Sequence, residues 1–282
     1  MRIRAPAKIN LSLRVVGRRR DGYHLVDTIL IPVSLYDETE ITRPKLARQA
    51  LEDTCDHPLV LSGRKNIAYQ AASLLLKEAG IQAPIRIRIR KRIPVGAGLG
   101  GGSSDAAATL VGLNRLLRLG WKPERLLPLA GSLGADVPFF ILGKPARGRG
   151  IGDKLALIGP IRRLWLVILY PGFPVSTRWA YGRLPRTLTK HIENTSINLS
   201  LSDPAMLRKL LANDLEKVVF QRYPRVARLK ERLIQEGAAG ALMSGSGSSV
   251  FGIFFSRREA AKAWRRLRKE VGVQAYLVRS LN

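Results

Sequence analysis

From Pro94 to Ala108 the chain reads Pro-Val-Gly-Ala-Gly-Leu-Gly-Gly-Gly-Ser-Ser-Asp-Ala-Ala-Ala, which places five glycines in the seven positions from Gly96 to Gly102. Residues of this type at this spacing suit the binding of phosphate. Glycine has no Cβ, so successive backbone N–H groups can turn toward one anion, and a helix that follows adds its own unsatisfied N–H groups and the positive end of its dipole. Ser103 and Ser104 are N-cap types, and Ala106, Ala107 and Ala108 are strong helix formers. A plain strand-to-helix connector can use the same letters.

Three named phosphate motifs can be tested against the letters. No Lys follows the glycines, so the G-x-x-x-x-G-K-[ST] pattern fails. The G-x-G-x-x-G fingerprint matches at Gly96, Gly98 and Gly101, but it calls for a strand ending in an acidic residue about 20 positions later, where this chain has Gly120-Trp121-Lys122-Pro123. The protein-kinase set is absent, since neither an H-R-D loop nor a D-F-G follows. Phosphoryl transfer also needs a carboxylate or a cation near the acceptor. Asp136 stands in Leu133-Gly-Ala-Asp-Val-Pro-Phe-Phe140, a context that a turn Asp before Val-Pro also fits, and Lys8 stands on a strand where a solvated lysine is the ordinary reading.

Elements to hold these residues can be read from periodicity. Ala7 to Val15 alternates, with Ile9, Leu11, Leu13 and Val15 on one face and Lys8, Asn10 and Ser12 on the other. Arg20-Asp21-Gly22 signals a turn, Leu25 to Val33 a hairpin partner, and Tyr36 to Thr42 a third strand. An exposed connection through Pro44 and Pro58 follows, with Cys55 and His57 in it. A helix over 66–79 ends at Gly80, Ile85 to Arg90 is a strand that feeds the glycine loop, and helices run from Ser103 to Arg118 and onward from Pro123, with Pro128 expected to shorten or kink the latter. A second region starts near Leu155: a buried strand at 164–170, helices at about 204–218, 223–236 and 257–270, and strands near 239–243, 249–255 and 274–280. That mixture is an α+β arrangement.

The composition is that of a globular chain, 46% hydrophobic and 24% charged over 282 residues. No apolar run approaches the roughly 20 residues of a membrane span and the N-terminus has no signal-peptide core, so a cytoplasmic protein is expected. A single cysteine excludes an internal disulfide. The net charge of +27 keeps a basic nucleic-acid-binding protein in view, yet the cations spread along the whole chain and aromatics are only 6%, with no basic and aromatic stripe for base stacking. No specific nucleic acid and no membrane is expected as partner.

Taken together, Ala5-Pro-Ala-Lys-Ile-Asn-Leu11, the loop from Pro94 to Ala108 and Met243-Ser-Gly-Ser-Gly-Ser-Ser-Val-Phe251 resemble the three motifs of the galactokinase, homoserine kinase, mevalonate kinase and phosphomevalonate kinase (GHMP) superfamily. Asp21-Gly-Tyr-His24, the Asp136 segment and Gly148-Arg-Gly-Ile-Gly152 narrow the resemblance to the branch that phosphorylates the 2-hydroxyl of a cytidine-diphosphate derivative of methylerythritol in non-mevalonate isoprenoid synthesis. The resemblance implies an α+β protein of two domains: a ribosomal-protein-S5-like α/β domain over 1–154 and a ferredoxin-like domain over 155–282. It implies Asp136 as general base and Lys8 as the cation that orients the hydroxyl. ATP would be held by Asn66, Pro94, Val95, Gly96, Ala97, Gly98, Leu99, Gly100, Gly101, Gly102, Ser103 and Ser104. Asn10, Tyr23, His24 and Thr177 would bind the small-molecule substrate, while Mg²⁺ is expected with no ligands assigned. One departure stands out: Leu30 occupies the place where relatives stack an aromatic side chain on the cytosine. Homoserine or mevalonate kinases are the alternatives within the superfamily, and a tandem Ser-Gly hairpin turn is the plain alternative for the third motif.

Overall fold

The structure, a computed structural model, describes residues 1–45, 49–159, 161–184 and 204–282. They form two compact units, each assembled from separate stretches. Met1–Ala7, Leu35–Val95 and Gly100–Gly143 make the first, and Lys8–Ser34, Gly96–Leu99 and Lys144–Asn282 the second. Strands β1 (Arg2–Arg18) and β2 (His24–Thr42) therefore contribute residues to both.

In the first unit β4 (Ile85–Arg90) runs antiparallel to the far half of β2, with Ile89 opposite Thr39 and Ile87 opposite Ile41. The Ile-Arg alternation of β4 resolves as predicted. Ile85, Ile87 and Ile89 are buried, while the arginines face outward and Arg86 pairs with Glu52 at 2.9 Å. Helices α1 (Ile67–Glu78), α2 (Gly101–Leu116), α3 (Pro123–Leu133) and α4 (Val137–Leu142) pack together in this unit. Their buried residues include Ala71, Leu75, Leu110, Leu113 and Phe139.

In the second unit the near half of β2 pairs with β5 (Ala146–Arg149), β5 with β6 (Lys154–Leu157), and β1 in parallel with the short β8 (Ala212–Asn213). A separate antiparallel sheet has the order β11-β7-β10-β9, from β7 (Trp165–Tyr170), β9 (Gly240–Met243), β10 (Val250–Phe254) and β11 (Gln274–Arg279). Helices α5 (Thr177–Gly182), α6 (Pro204–Leu210), α7 (Glu216–Arg222), α8 (Pro224–Gln235) and α9 (Arg257–Leu267) complete it. On α8 the buried Val226, Leu229 and Leu233 recur at helical spacing, and on α9 Ala260, Ala263 and Leu267 do the same. Burying Val226, Leu229 and Leu233 is worth about 5–9 kcal/mol before the entropy of ordering them. A reciprocal capping box of Ser256 and Glu259 opens α9.

Several elements differ from the reading of periodicity. The two expected strands after the first hairpin are one strand, since Ser34 and Leu35 continue the extended backbone of β2 without a break. The expected exposed connection contains β3 (Leu51–Cys55), paired in parallel with β4, and a 3₁₀ turn at Gly63–Lys65. Leu51 and Asp53 are buried there by a partner strand distant in sequence, which local periodicity does not report. Residues 46–48 of that connection lie outside the described residues. Cys55 is half-buried at the end of β3, and burial pushes its thiol up. The helix expected over 204–218 is two short helices divided by β8, because Asn213 turns its side chain to accept from the N–H of Leu215 at 3.0 Å. Pro128 leaves α3 continuous; in the second turn it removes only the bond to Glu124. Helix α2 starts two residues before Ser103, with Gly100 as N-cap at φ 72°, so Ser103 and Ser104 lie inside its first turn. The left-handed conformation open to glycine sets that earlier start.

Candidate active site

In the second unit a chain of buried hydrogen bonds orients Lys8. Its Nζ donates to Asn10 Oδ1 at 2.5 Å, Asn10 Nδ2 donates to Thr28 Oγ1 at 2.8 Å, and Thr28 Oγ1 donates to the carbonyl of Ser12 at 2.7 Å. Lys8 and Asn10 are each 4% exposed, so Lys8 is not the solvated surface lysine that its strand position alone suggested. Period-two alternation places Lys8, Asn10 and Ser12 on one face of β1.

The loop from Ser244 to Ser249 joins β9 to β10 and closes on the same network. Ser244 Oγ accepts from the N–H of Asn10 at 3.4 Å and donates to the carbonyl of Gly98 at 2.9 Å. The N–H of Ser249 donates to the carbonyl of Ala97 at 3.2 Å, and the N–H of Lys8 to the carbonyl of Leu99 at 2.9 Å. A Cβ at Gly245 would stand 3.3 Å from both Lys8 Nζ and Asn10 Oδ1, and one at Gly98, whose φ is +78°, would overlap the carbonyl oxygen of Ser244. The third motif is thus a hairpin turn and also a close backbone approach to Lys8. Asn213 holds it from behind, donating from one Nδ2 to the carbonyls of Met243 and Gly245, each at 2.8 Å.

Also in this unit, the ring of His24 lies 5.3 Å from that of Tyr181, tilted by 33°. Burial, then the nearby Arg18 cation, lowers the pKa of His24, which favours a neutral imidazole. Tyr23 is 62% exposed, an apolar face open to solvent. Thr177 heads α5 and shares a hydrogen bond of 2.9 Å with Ser246 of the third motif. Leu30 is buried and sits opposite Ala146 in the β2–β5 pair, so its place is in the core, and the aromatic beside His24 is Tyr181.

Gly96 belongs to the second unit, and the first unit holds the remaining candidates. Gly100 to Gly102 open α2, and Ser104 follows in its first turn with Oγ buried and no hydrogen-bond partner among the described residues. Pro94 is buried and Val95 half-buried on the approach to the loop. Asn66 caps α1, its Oδ1 accepting from the N–H of Ala68 at 3.0 Å while its Nδ2 donates to Asp53 at 2.8 Å. Asp136 is the half-buried N-cap residue of α4, a helix the Val-Pro step had concealed; Pro138 sits in its first turn, where a missing N–H costs nothing. Thr28, Tyr181 and Asn213 contact the candidate residues and were missed by sequence reasoning, while Ser244 lay in the third motif without a role of its own. The helical pattern read over 204–218 runs through Asn213 without a break, so no local signal marked it. Among the described residues no group of three or more His, Cys, Asp or Glu side chains is placed to hold a metal ion, and no helix is long and apolar enough to cross a membrane.

Comparison with known proteins follows the same lines. Residues 66–144 match the GHMP kinases N terminal domain, and residues 196–273 match the GHMP kinases C terminal domain. The chain is 48% identical to the 4-diphosphocytidyl-2-C-methyl-D-erythritol kinase of Geobacter metallireducens over 93% of its own length and 92% of that protein. It is 46% identical to the enzyme of the same name from Citrifermentans bemidjiense, over 100% and 99% of the two chains. Its fold matches a crystal structure of 4-(cytidine 5'-diphospho)-2C-methyl-D-erythritol kinase with a TM-score of 0.85 at 37% identity, covering 100% of both chains. Homoserine kinase from Cytophaga hutchinsonii shares the fold, at TM-score 0.77 and 22% identity, over 100% of this chain and 94% of that one.

Proposed function

The chain belongs to the GHMP kinase family, within its group of 4-diphosphocytidyl-2-C-methyl-D-erythritol kinases, and from that premise we propose that it transfers the γ-phosphoryl group of ATP to the 2-hydroxyl of that cytidyl substrate. The division of labour is an ATP-binding half over 1–154 and a C-terminal half over 155–282. The protein works in the cytoplasm on a small molecule, not on nucleic acid.

The observation that carries the reading is the buried Lys8, aimed by Asn10 and Thr28 beneath a glycine turn where a Cβ on Gly245 would stand only 3.3 Å from its Nζ. In this mechanism Asp136 accepts the proton of the attacking hydroxyl while the Lys8 ammonium orients that oxygen and offsets the charge that develops on transfer. Backbone N–H groups of the glycine loop and the first turn of α2 take the triphosphate, and Asn66 meets the nucleotide. Tyr23, His24, Asn10 and Thr177 receive the cytidine diphosphate, with Tyr181 as a second aromatic beside His24. A Mg²⁺ ion bound with the nucleotide would neutralise charge on the transferring group. The orphaned Oγ of Ser104 fits a place beside it.

The test is ADP release with ATP and Mg²⁺, offering 4-diphosphocytidyl-methylerythritol, homoserine and mevalonate separately to the protein and to its Asp136→Asn variant. Turnover confined to the cytidyl substrate, and lowered by about 10²–10⁴ in the folded variant, is expected. Equal turnover of homoserine or mevalonate, or a variant as active as the parent, overturns the assignment.

A further inference from the structure

Just outside the glycine loop lies a group of buried charges with no part in the chemistry above. After β4 ends at Arg90, the N–H groups of Arg92 and Ile93 both donate to Oδ1 of Asp37 on β2, at 2.6 and 2.8 Å, and the N–H of Lys91 donates to Asp56 at 2.8 Å. The Nζ of Lys91 donates to Asp37 Oδ2 and, at 2.7 Å, to Oδ2 of Asp105 in α2. The side chains of Lys91, Asp37 and Asp105 are 3%, 0% and 5% exposed. Lys91 and Ile93 precede the glycines and Asp105 follows them, so Lys91 links the chain entering the loop to the helix leaving it, while Asp37 of the sheet holds the entering chain. A Cβ on Gly101 would stand 3.1 Å from Lys91 Nζ, which puts the ammonium against the first residue of α2.

Such a group is an expensive way to gain stability. Apolar side chains of similar volume commonly serve as well or better in a buried site, and one ammonium facing two carboxylates leaves charge uncompensated. Asp105 Oδ1 is buried with no hydrogen-bond partner among the described residues. Burial, reinforced by Asp37 and opposed by Lys91, pushes the pKa of Asp105 up to about 7. For Lys91, burial lowers the pKa, but Asp105 and Asp37 outweigh it and hold the pKa above the ordinary value. What directional ion pairs add over apolar packing is a defined position. We propose that Lys91, Asp37 and Asp105 form a clasp that fixes the two ends of the glycine loop at the spacing nucleotide binding requires. They are positioning residues for ATP, a role that rests on the kinase reading above.

The experiment is calorimetric binding of ATP with Mg²⁺ to the parent and to Lys91→Met, Asp105→Leu and Asp105→Asn, together with KM for both substrates and a melting curve for each variant. The folded Met and Leu variants are expected to bind ATP about tenfold more weakly with KM for the cytidyl substrate nearly unchanged. Asp105→Asn keeps an oxygen that accepts from Lys91, so it retains parent affinity. Unchanged ATP affinity in folded Lys91→Met, a loss shared equally by both substrates, or Asn no better than Leu overturns the clasp. If the single variants do not fold, the double variant Lys91→Met/Asp105→Leu, which removes opposite charges together, takes their place; its failure to fold would assign the group to stability alone and overturn the proposal. A parent protein that binds no ATP removes the kinase reading itself, a result distinct from a parent that binds while the variants bind equally well.

Discussion

The glycine segment from Pro94 to Ser104 and the turn from Ser244 to Ser249 both bring backbone into close quarters, and the groups that secure them differ in kind. Buried ions hold the first at its ends: Asp37 on the backbone of Arg92 and Ile93, and Lys91 between Asp37 and Asp105. The second is held mainly by neutral groups. Asn213 bridges two carbonyls, Ser244 reaches Gly98, and Ser248 Oγ donates to the carbonyl of Phe173, while the Glu216 carboxylate accepts from the N–H of Met243 at 2.9 Å. Amide and hydroxyl contacts match donor to acceptor and do not titrate. The clasp around Lys91 carries an excess carboxylate and couples its segment to pH. A glycine-rich loop and a turn that crowds a lysine are thus stabilised by different chemistry.

The largest expected effect comes from removing the close approach shared by the two regions. Gly98→Ala forces a side chain into a left-handed backbone and onto the Ser244 carbonyl, and should cost about 3 kcal/mol or more. Chemical denaturation checks it, and a midpoint equal to the parent's would show that the two segments are not locked together as described. Next comes Asn213→Ala, which strips the carbonyls of Met243 and Gly245 of their common donor. A loss of about 2–4 kcal/mol is expected, the same at pH 5 and pH 8 if the turn is held by neutral groups. A loss that varies with pH would break the contrast.

The smallest effect is the most specific to the clasp. Asp105 has a folded pKa of about 7 against an ordinary 3.8. Between those values the folded protein holds a proton that the unfolded chain has released, so stability falls as pH rises through that window and levels off above it. Asp105→Asn removes the group, and its melting temperature should decline less than the parent's between pH 5 and pH 8. Parallel curves for the two proteins would show that Asp105 titrates normally.

Much of this was legible in the letters because the signals were local. The Ile-Arg alternation of β4, the faces of β1, the apolar spacing of α8 and the glycine loop itself depend on neighbours a few residues away. Strand β3 and the division of the 204–218 pattern were not legible, since a distant partner strand created the one and a side-chain hydrogen bond the other. Leu30 shows the same limit at the scale of one residue. Its place in the chain matched an aromatic that relatives stack on cytosine, and only the fold shows it buried opposite Ala146.

By itself the sequence determined the residue types that phosphoryl transfer needs, their order along the chain, and the periodicities of the elements that carry them, because those follow from covalent geometry and short-range propensity. Tertiary structure decided which of those residues meet. Lys8 gained its orientation from Thr28, its glycine ceiling from Gly245, and that turn its anchor from Asn213, positions drawn from opposite ends of the chain. Only the folded chain brings such groups within hydrogen-bond reach, and only burial gives a lysine, a carboxylate or an amide the low-dielectric surroundings in which one contact sets position and charge.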